Sequence, residues 1–468
     1  MNRADYIVKV ETFLSQNNFQ ELNNNPLNTF IKKAKEHLRI CEEFLTEHNK
    51  LHILPSNPAI PRLYGLPKIH KLDIPIRPVV SFCNTPVHDL STFLNSFIKS
   101  ITDYKPKYSV LNSMDLTHKL RDLEMKDTYI MLSFDVCNLF TSVPRGECIP
   151  LVSELLREHD VPDSKLADIL TLLKLALSQD FFVFNNVVCR QIDGLAMGSP
   201  LSSFLADRFL EKLEAYITIR WRIIVRWYRY VDDIFVILDG VPDDAHALLD
   251  FINTLHPRIK FTLELEVNRS INFLDLTISR SEESSLTFEI YRKKTQTDHI
   301  IPAQSCHPRS HKMAALRCYV HRALNFPLSQ ANREKELNII KQIALNNGYD
   351  PEVVDMIKNN VINKQRRALA YSSDVMDNLK YCSLPYMGHL SEAISHVLER
   401  SVDGYKISYS GVRSLGSLLV NSKDNVKKLD RSGVYKLKCG DCDTPYVGQT
   451  RRKLSTRIKE HLSRPQLL

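Results

Sequence analysis

Apolar residues recur at helical spacing in DYIVKVETFLSQNNF and in NTFIKKAKEHLRICEEFLTEH, which predicts a small helical lead-in over residues 1–53. From Leu54 to Pro86 the chain is rich in prolines and basic residues (LPSNPAIPRLYGLPKIHKLDIPIRPVVSF), a composition that favours extended and turn backbone over helix. TYIMLSFDVCNLFTSVP reads as a buried strand ending in a turn, and a helical stretch follows from about Ile149 to Ser178. DFFVFNNVVCRQIDG has β-rich runs on either side of Asn185-Asn186 and reads as a hairpin. GSPLSSFLADRFLEKLEAYI opens with Ser and Pro and continues with helical periodicity.

Farther on, RIIVRWYRYVDDIFVIL holds two strand-like halves on either side of Val231-Asp232-Asp233. DDAHALLDFINTLH reads as a helix, then IKFTLELEV, INFLDLTISR and LTFEIYRKK as strands. Helical patterns dominate from about Pro308 to Lys364. A stretch rich in Ser, Gly and Lys over 401–430 reads as a linker before a last segment at 431–468. No solenoid-like repeat or low-complexity tract interrupts this order.

The 468 residues leave room for roughly two to four domains, and 43% hydrophobic content is that of an ordinary globular chain. The formal charge of +8 is uneven: from Asn421 to Leu468 there are 12 Lys and Arg against 5 Asp and Glu. A basic end points to polyanion contact, although a solvated tail has the same composition. The ten cysteines are scattered and read as reduced thiols. The N-terminus lacks the basic-then-apolar order of a signal peptide, and arginines and aspartates break the longest apolar run, so a soluble intracellular protein with no membrane span is expected.

Asp232 and Asp233 stand side by side in an apolar, β-branched run. In a continuous strand they would point to opposite faces, and one would enter the core at the full cost of a buried charge. A turn at Val231-Asp232-Asp233 resolves this by projecting both carboxylates from a hairpin tip. Asp135 ends the apolar strand of MLSFDVCNLF and would join them if that strand lay beside the hairpin. Three gathered carboxylates raise one another's pKa values unless cations are present. Two divalent ions ~3.5–4 Å apart answer that need and serve in-line phosphoryl transfer. The all-oxygen donor set favours Mg²⁺, with Mn²⁺ as its substitute. The plainer alternative is an acidic pair capping an ordinary turn.

Asp135 in SFDVCNLF, GLAMGSPLSSFLADRFLEKLE, YVDD and NFLDLTIS resemble, in order and spacing, the palm motifs of reverse transcriptases. LPKIHK, SFDVCNLFTSVP and GLAMGSPLSSFLAD are similar to those of Penelope-like retroelements, over roughly Leu54 to Arg322. The resemblance implies an α+β right-hand polymerase with an antiparallel palm sheet, its fingers and palm over 54–300 and a helical thumb-like region over 301–400. It also implies an RNA template, a DNA primer and deoxynucleoside triphosphates as partners, with action in the nucleus. Asp135 and Asp232 would bind the two metals, with Asp233 as the third acid. Phe140, five positions beyond Asp135, would be the aromatic wall that excludes a 2′-hydroxyl, its alternative being a core phenylalanine. Gly198, Ser199 and Pro200 would open the helix that supports the nascent base pair, with Met197 where many reverse transcriptases have Gln. Lys68, Lys71 and Arg77 resemble the fingers residues that hold the triphosphate; solvated loop charges are the alternative. HPRSHKMAALRCYVHRALNF would grip duplex phosphates, or turn Met313, Leu316 and Val320 to a core, or both.

SGVYKLKCGDCDTPYVGQTRRKLSTRIKEHL resembles the start of a GIY-YIG endonuclease, a partial α/β domain that Penelope-like retroelements join to their reverse transcriptase. Tyr435, Tyr446 and Arg457 stand at its nuclease positions. Cys439, Cys442 and His461 are candidate Zn²⁺ ligands, one short of a closed tetrahedral site. The sequence reaches Leu468 without the metal-binding Glu of that family, so a nuclease without independent activity is expected. A copy that only binds nucleic acid, and an RNA-copying RNA polymerase, are the competing readings. The oligomeric state is not encoded in any pattern.

Overall fold

A computed structural model of the chain describes residues 1–17, 19–69, 73–281, 284–370, 380–402, 404–411, 426–438 and 444–463, with the side chains of 367–370 left out. Five strands, β1 (Phe19–Glu21), β2 (Arg62–Pro67), β3 (Ile76–Ser81), β5 (Phe181–Phe184) and β6 (Val187–Gln191), form a sheet in the order β1-β6-β5-β2-β3. The proline-rich segment supplies the β2–β3 hairpin. Asn185 and Asn186 turn β5 into β6 with φ of +49° and +63°, the left-handed pair that a two-residue hairpin loop requires and asparagine tolerates.

β4 (Tyr129–Val136), β7 (Ile224–Tyr230), β8 (Asp233–Asp239) and β9 (Phe261–Leu265) form a second sheet, antiparallel throughout, in the order β7-β8-β4-β9. Ile234 to Leu238 of β8 are all buried, because both faces of this sheet are covered. Leu132, Phe134, Ile234, Val236 and Leu238 belong to the main core with residues of the helices Ser202–Arg220 and Pro242–Thr254. Met131, Phe235 and Ile237 face a second core, shared with the three-stranded sheet of β10 (Ser270–Phe273), β11 (Leu276–Arg280) and β12 (Leu286–Ile290). Burial on both faces explains why the strand reads as an unbroken apolar run rather than an alternation.

The helical lead-in does not stand apart. Val10, Leu14, Phe30 and Leu38 lie in the same core as Phe134, and β1 pairs with β6. The helical stretch expected over 149–178 is two helices, Arg145–Glu158 and Asp163–Leu177, broken where Asp160 takes a φ of +54° and Pro162 removes an amide donor. The helices Ala314–Asn325, Gln330–Asn346 and Glu352–Ala370 enclose their own core of Met313, Leu316, Val320, Ile340 and Val354. Arg322 to Asp275, at 2.7 Å, and Arg292 to Glu336 tie this unit to the three-stranded sheet.

β13 (Lys380–Pro385) and β14 (Tyr405–Ser410) pair in parallel around the helix His389–Ser401. This strand–helix–strand unit falls where the sequence pattern reads as the end of the helical region and the start of a linker. β15 (Gly433–Lys438) and β16 (Pro445–Thr450) form an antiparallel hairpin followed by the helix Leu454–Leu462. Among the described residues no helix is long and apolar enough to cross a membrane, and eight cysteines are free thiols.

Candidate active site

Asp135 and Asp233 are direct partners across β4 and β8. Opposed residues of an antiparallel pair send their side chains to the same face. Both are exposed. Asp232 occupies the turn between β7 and β8, half-buried, and its carbonyl accepts the Val136 amide at 2.9 Å. The turn therefore bonds directly to the end of the strand that carries Asp135.

Tyr230 pairs with Asp233, which leaves Val231 and Asp232 as a two-residue hairpin loop. Val231 takes a φ of +58°. For a β-branched residue that conformation stores on the order of 1–3 kcal/mol, and such strain gathers at functional sites. Among the described residues no three His, Cys, Asp or Glu side chains gather into a ready metal cage. Carboxylates from two neighbouring strand ends are nonetheless the donor set Mg²⁺ takes when water and substrate phosphates complete its shell, so the residues present fit that ion.

Beneath the turn lies a network that sequence reasoning missed. The Arg229 side chain is fully buried. Its Nε donates to Glu214 Oε1 at 2.8 Å, and its Nη1 to Asp207 Oδ1 at 2.5 Å and to the Val231 carbonyl at 3.4 Å. Trp227 Nε1 also donates to Glu214 Oε1, at 3.0 Å. Burial pushes the Glu214 carboxyl up, against the pull of Arg229 and Trp227. Burial also disfavours the Arg229 charge, but Glu214 and Asp207 more than offset it and raise its pKa. The one available signal was an arginine inside an apolar strand, in IVRWYRYV.

Gly198 has a φ of +122° and lies against β3, where a Cβ would stand 2.1 Å from the Val80 carbonyl oxygen. Gly198, Ser199 and Pro200 precede the helix rather than open it. The helix begins at Ser202, whose hydroxyl donates to the Ala196 carbonyl at 2.7 Å. Arg77 lies on β3, exposed and in no ion pair among the described residues, and Lys68 is half-buried at the end of β2. Lys71 lies outside the described residues.

Phe140, in the short helix Leu139–Ser142, is half-buried and packs against the main core. Its carbonyl accepts the Leu195 amide at 2.7 Å, and Arg258 Nη2 donates to the neighbouring Thr141 carbonyl at 2.9 Å. Arg258 also pairs with Asp193, which accepts the backbone amides of Arg145 at 3.1 Å and Gly194 at 2.8 Å. Burial works to raise the Asp193 pKa, but those amides and Arg258 hold it below the usual carboxylate range. Residues 195–198 are thus tied at one end to the short helix after β4, through Leu195 and Phe140, and at the other to β3, through Met197 and Val80.

In the helical unit Met313, Leu316 and Val320 face the core, as expected, while Arg309, His311, Arg317 and His321 are exposed. In the last segment Tyr435, Tyr446 and Arg457 are brought together. Arg457 Nε donates to Tyr435 Oη at 3.1 Å, and Tyr435 Oη bonds His461 Nε2 at 2.7 Å. The Tyr446 and His461 rings lie 4.9 Å apart. The expected zinc candidate His461 is therefore engaged by this aromatic cluster, and its companions Cys439 and Cys442 lie outside the described residues. Glu460 and the two tyrosines raise the Arg457 pKa, and Arg457 and Arg452 lower that of Glu460.

Residues 69–268 match the family model described as reverse transcriptase (RNA-dependent DNA polymerase), and residues 299–359 match that of an animal helix-turn-helix domain. The first match spans Arg77, Asp135, Phe140, Gly198, Asp232 and Asp233. No curated protein matches the chain. Among solved structures it is similar to telomerase from Candida albicans in complex with a TWJ fragment of telomeric RNA, at 12% identity and a TM-score of 0.48, covering 74% of this chain and 61% of that one. Apo telomerase from Candida tropicalis aligns at 11% identity and a TM-score of 0.42, covering 76% and 67%. The Sicinivirus 3Dpol RNA-dependent RNA polymerase aligns at 13% and 0.42, covering 75% and 73%. The chain thus spans about three fifths of the length of the first of these. Residues 69–268 thus match the reverse transcriptase domain, the domain of RNA-directed DNA polymerases, within an α+β fold whose β7-β8-β4-β9 sheet is antiparallel.

Proposed function

We propose that the chain is the RNA-directed DNA polymerase of a Penelope-like retroelement, extending a DNA 3′ end on an RNA template with deoxynucleoside triphosphates. The observation that carries this reading is the register that sets Asp135 opposite Asp233 with Asp232 in the adjoining turn. These carboxylates would hold Mg²⁺ or Mn²⁺, whose chemistry there is to neutralise the triphosphate and stabilise the attacking and leaving oxygens. The chain's own residues do the rest. Arg77 and Lys68 supply positive charge to the triphosphate, the turn at Gly198 lets a nucleotide approach backbone closely, and the Phe140 ring leaves no room for a 2′-oxygen. Arg309 and Arg317 on the helical unit offer cations to the duplex backbone.

The last segment reads as GIY-YIG in kind, supported by the meeting of Tyr435, Tyr446 and Arg457 on a hairpin and its following helix. That pairing of domains is what favours the Penelope-like assignment, and with it action on nuclear DNA. Zn²⁺ bound through Cys439 and Cys442 belongs to the same reading.

Primer extension tests the polymerase. Purified full chain, an RNA template, a DNA primer, deoxynucleotides and Mg²⁺ or Mn²⁺ should give extension that an Asp232→Ala, Asp233→Ala control loses. A silent parent that still binds primer–template would transfer the role to nucleic-acid binding alone.

A further inference from the structure

We propose that Arg229 is a positioning residue: by holding the Val231 carbonyl it fixes the peptide that carries Asp232, and so sets where that carboxylate stands. The inference rests on the polymerase reading above. Arg229 hangs from a backbone fixed on both edges. It pairs with Ile234 of β8 on one side, and on the other its amide donates to the Tyr108 carbonyl at 2.8 Å while its carbonyl accepts the Val110 amide at 2.8 Å. From that anchored position the guanidinium reaches three acceptors, Glu214 and Asp207 on the helix Ser202–Arg220 and the Val231 carbonyl in the turn.

The turn needs such a hold. A two-residue loop whose first position has positive φ favours glycine, yet Val231 stands there at +58°. Left to itself, valine relaxes to negative φ and rotates the Val231–Asp232 peptide. Asp233 would stay opposite Asp135, since register fixes it, but Asp232 would move. Charge balance for Glu214 and Asp207 requires only a cation. Reaching three acceptors in different directions requires the planar fork of arginine, which lysine lacks.

A double-mutant cycle in the full chain tests this, comparing the parent, Arg229→Lys, Val231→Gly and the double variant. Mn²⁺ affinity is read from the paramagnetic resonance of the free ion, primer extension is run beside it, thermal unfolding reports folding, and Asp232→Ala marks binding at this site. Arg229→Lys should weaken Mn²⁺ binding and lower kcat, each about tenfold, with KM for primer–template unchanged, in line with losses at residues that orient metal ligands. Val231→Gly should restore most of both in the double variant, because glycine holds the turn without help. If Arg229→Lys unfolds, Asp207→Asn replaces it; that variant removes one anchor of the fork, and the same weakened binding is expected. Parent-like Mn²⁺ affinity in these variants overturns the inference, and so does a double variant no better than Arg229→Lys, since core packing alone would not respond to Val231. A parent that neither binds Mn²⁺ at this site nor extends a primer overturns the polymerase reading and this inference together. An active parent beside an unaffected Arg229→Lys overturns the inference alone.

Discussion

Gly198 and Val80 meet backbone to backbone: a Cβ at 198 would stand 2.1 Å from the Val80 carbonyl oxygen, and the Val80 amide donates to the Met197 carbonyl at 2.8 Å. The contact joins the turn before the helix Ser202–Arg220 to the strand that carries Arg77. Gly198→Ala cannot relieve it by turning a side chain, because the obstacle is main chain and φ is +122°. The substitution should cost about 2–4 kcal/mol of stability. It should also raise KM for the nucleotide at least about tenfold, as the turn and β3 move apart. Steady-state kinetics beside a thermal melt will check this, and an unchanged KM would place the turn away from the nucleotide.

Phe140 is half-buried, so its substitution separates wall from core. Phe140→Val keeps an apolar side chain against the core and should cost about 1–2 kcal/mol. The expected gain is in ribonucleotide use, with the deoxy-to-ribo ratio of kcat/KM falling by about tenfold or more as space opens for a 2′-oxygen. Competing single-nucleotide insertions will measure it. A lower melting temperature with an unchanged ratio would leave Phe140 as core only.

The same residues show what the sequence made legible. The Asn185-Asn186 hairpin, the β7–β8 turn and the approach of Asp135 follow from local pattern, because turn chemistry and strand burial leave marks on neighbouring positions. Arg229, Glu214 and Asp207 do not, since they meet across a strand and a helix and nothing in their own neighbourhoods requires it. β1, three residues long, takes its identity from pairing with β6 rather than from propensity. The turn at Val231 was legible but its positive φ was not, because valine is a poor choice for that conformation. The helix-turn-helix match at 299–359 was also not foreseen: amphipathic spacing there reads as helix without saying which helical unit.

Asp193 gives a pH dependence whose sign follows from its lowered pKa. A carboxylate depressed in the folded state contributes stability that is present above its unfolded pKa, near 3.9, and lost as pH falls through the folded value. Asp193→Asn should therefore melt below the parent at pH 7, by a few degrees given its partial exposure. The gap should close as pH is lowered from about 4 toward 2, because the parent then protonates the same group. Melting curves of both chains across that range decide it. A gap that stays constant would assign the loss to hydrogen bonding rather than charge.

Arg317 and Arg322 lie in one basic helix, Ala314–Asn325, but only the first is exposed. Arg322 pairs with Asp275 at 2.7 Å and lies 5.7 Å over the Phe326 ring, so it joins the helical unit to the sheet. Arg322→Ala should lower the melting temperature, at a cost of about 1 kcal/mol, and affect binding only through that loss. Arg309 and Arg317 are free to meet phosphate, and replacing both by Ala should leave stability nearly unchanged. Their effect belongs to salt: an arginine that neutralises a phosphate releases counterions, so the slope of log affinity against log salt concentration should become shallower by about one for each arginine replaced. Primer–template titrations at several salt concentrations separate the two cases. If the slope does not change, the helical unit does not meet phosphate through these arginines, and its basic surface serves something other than the duplex.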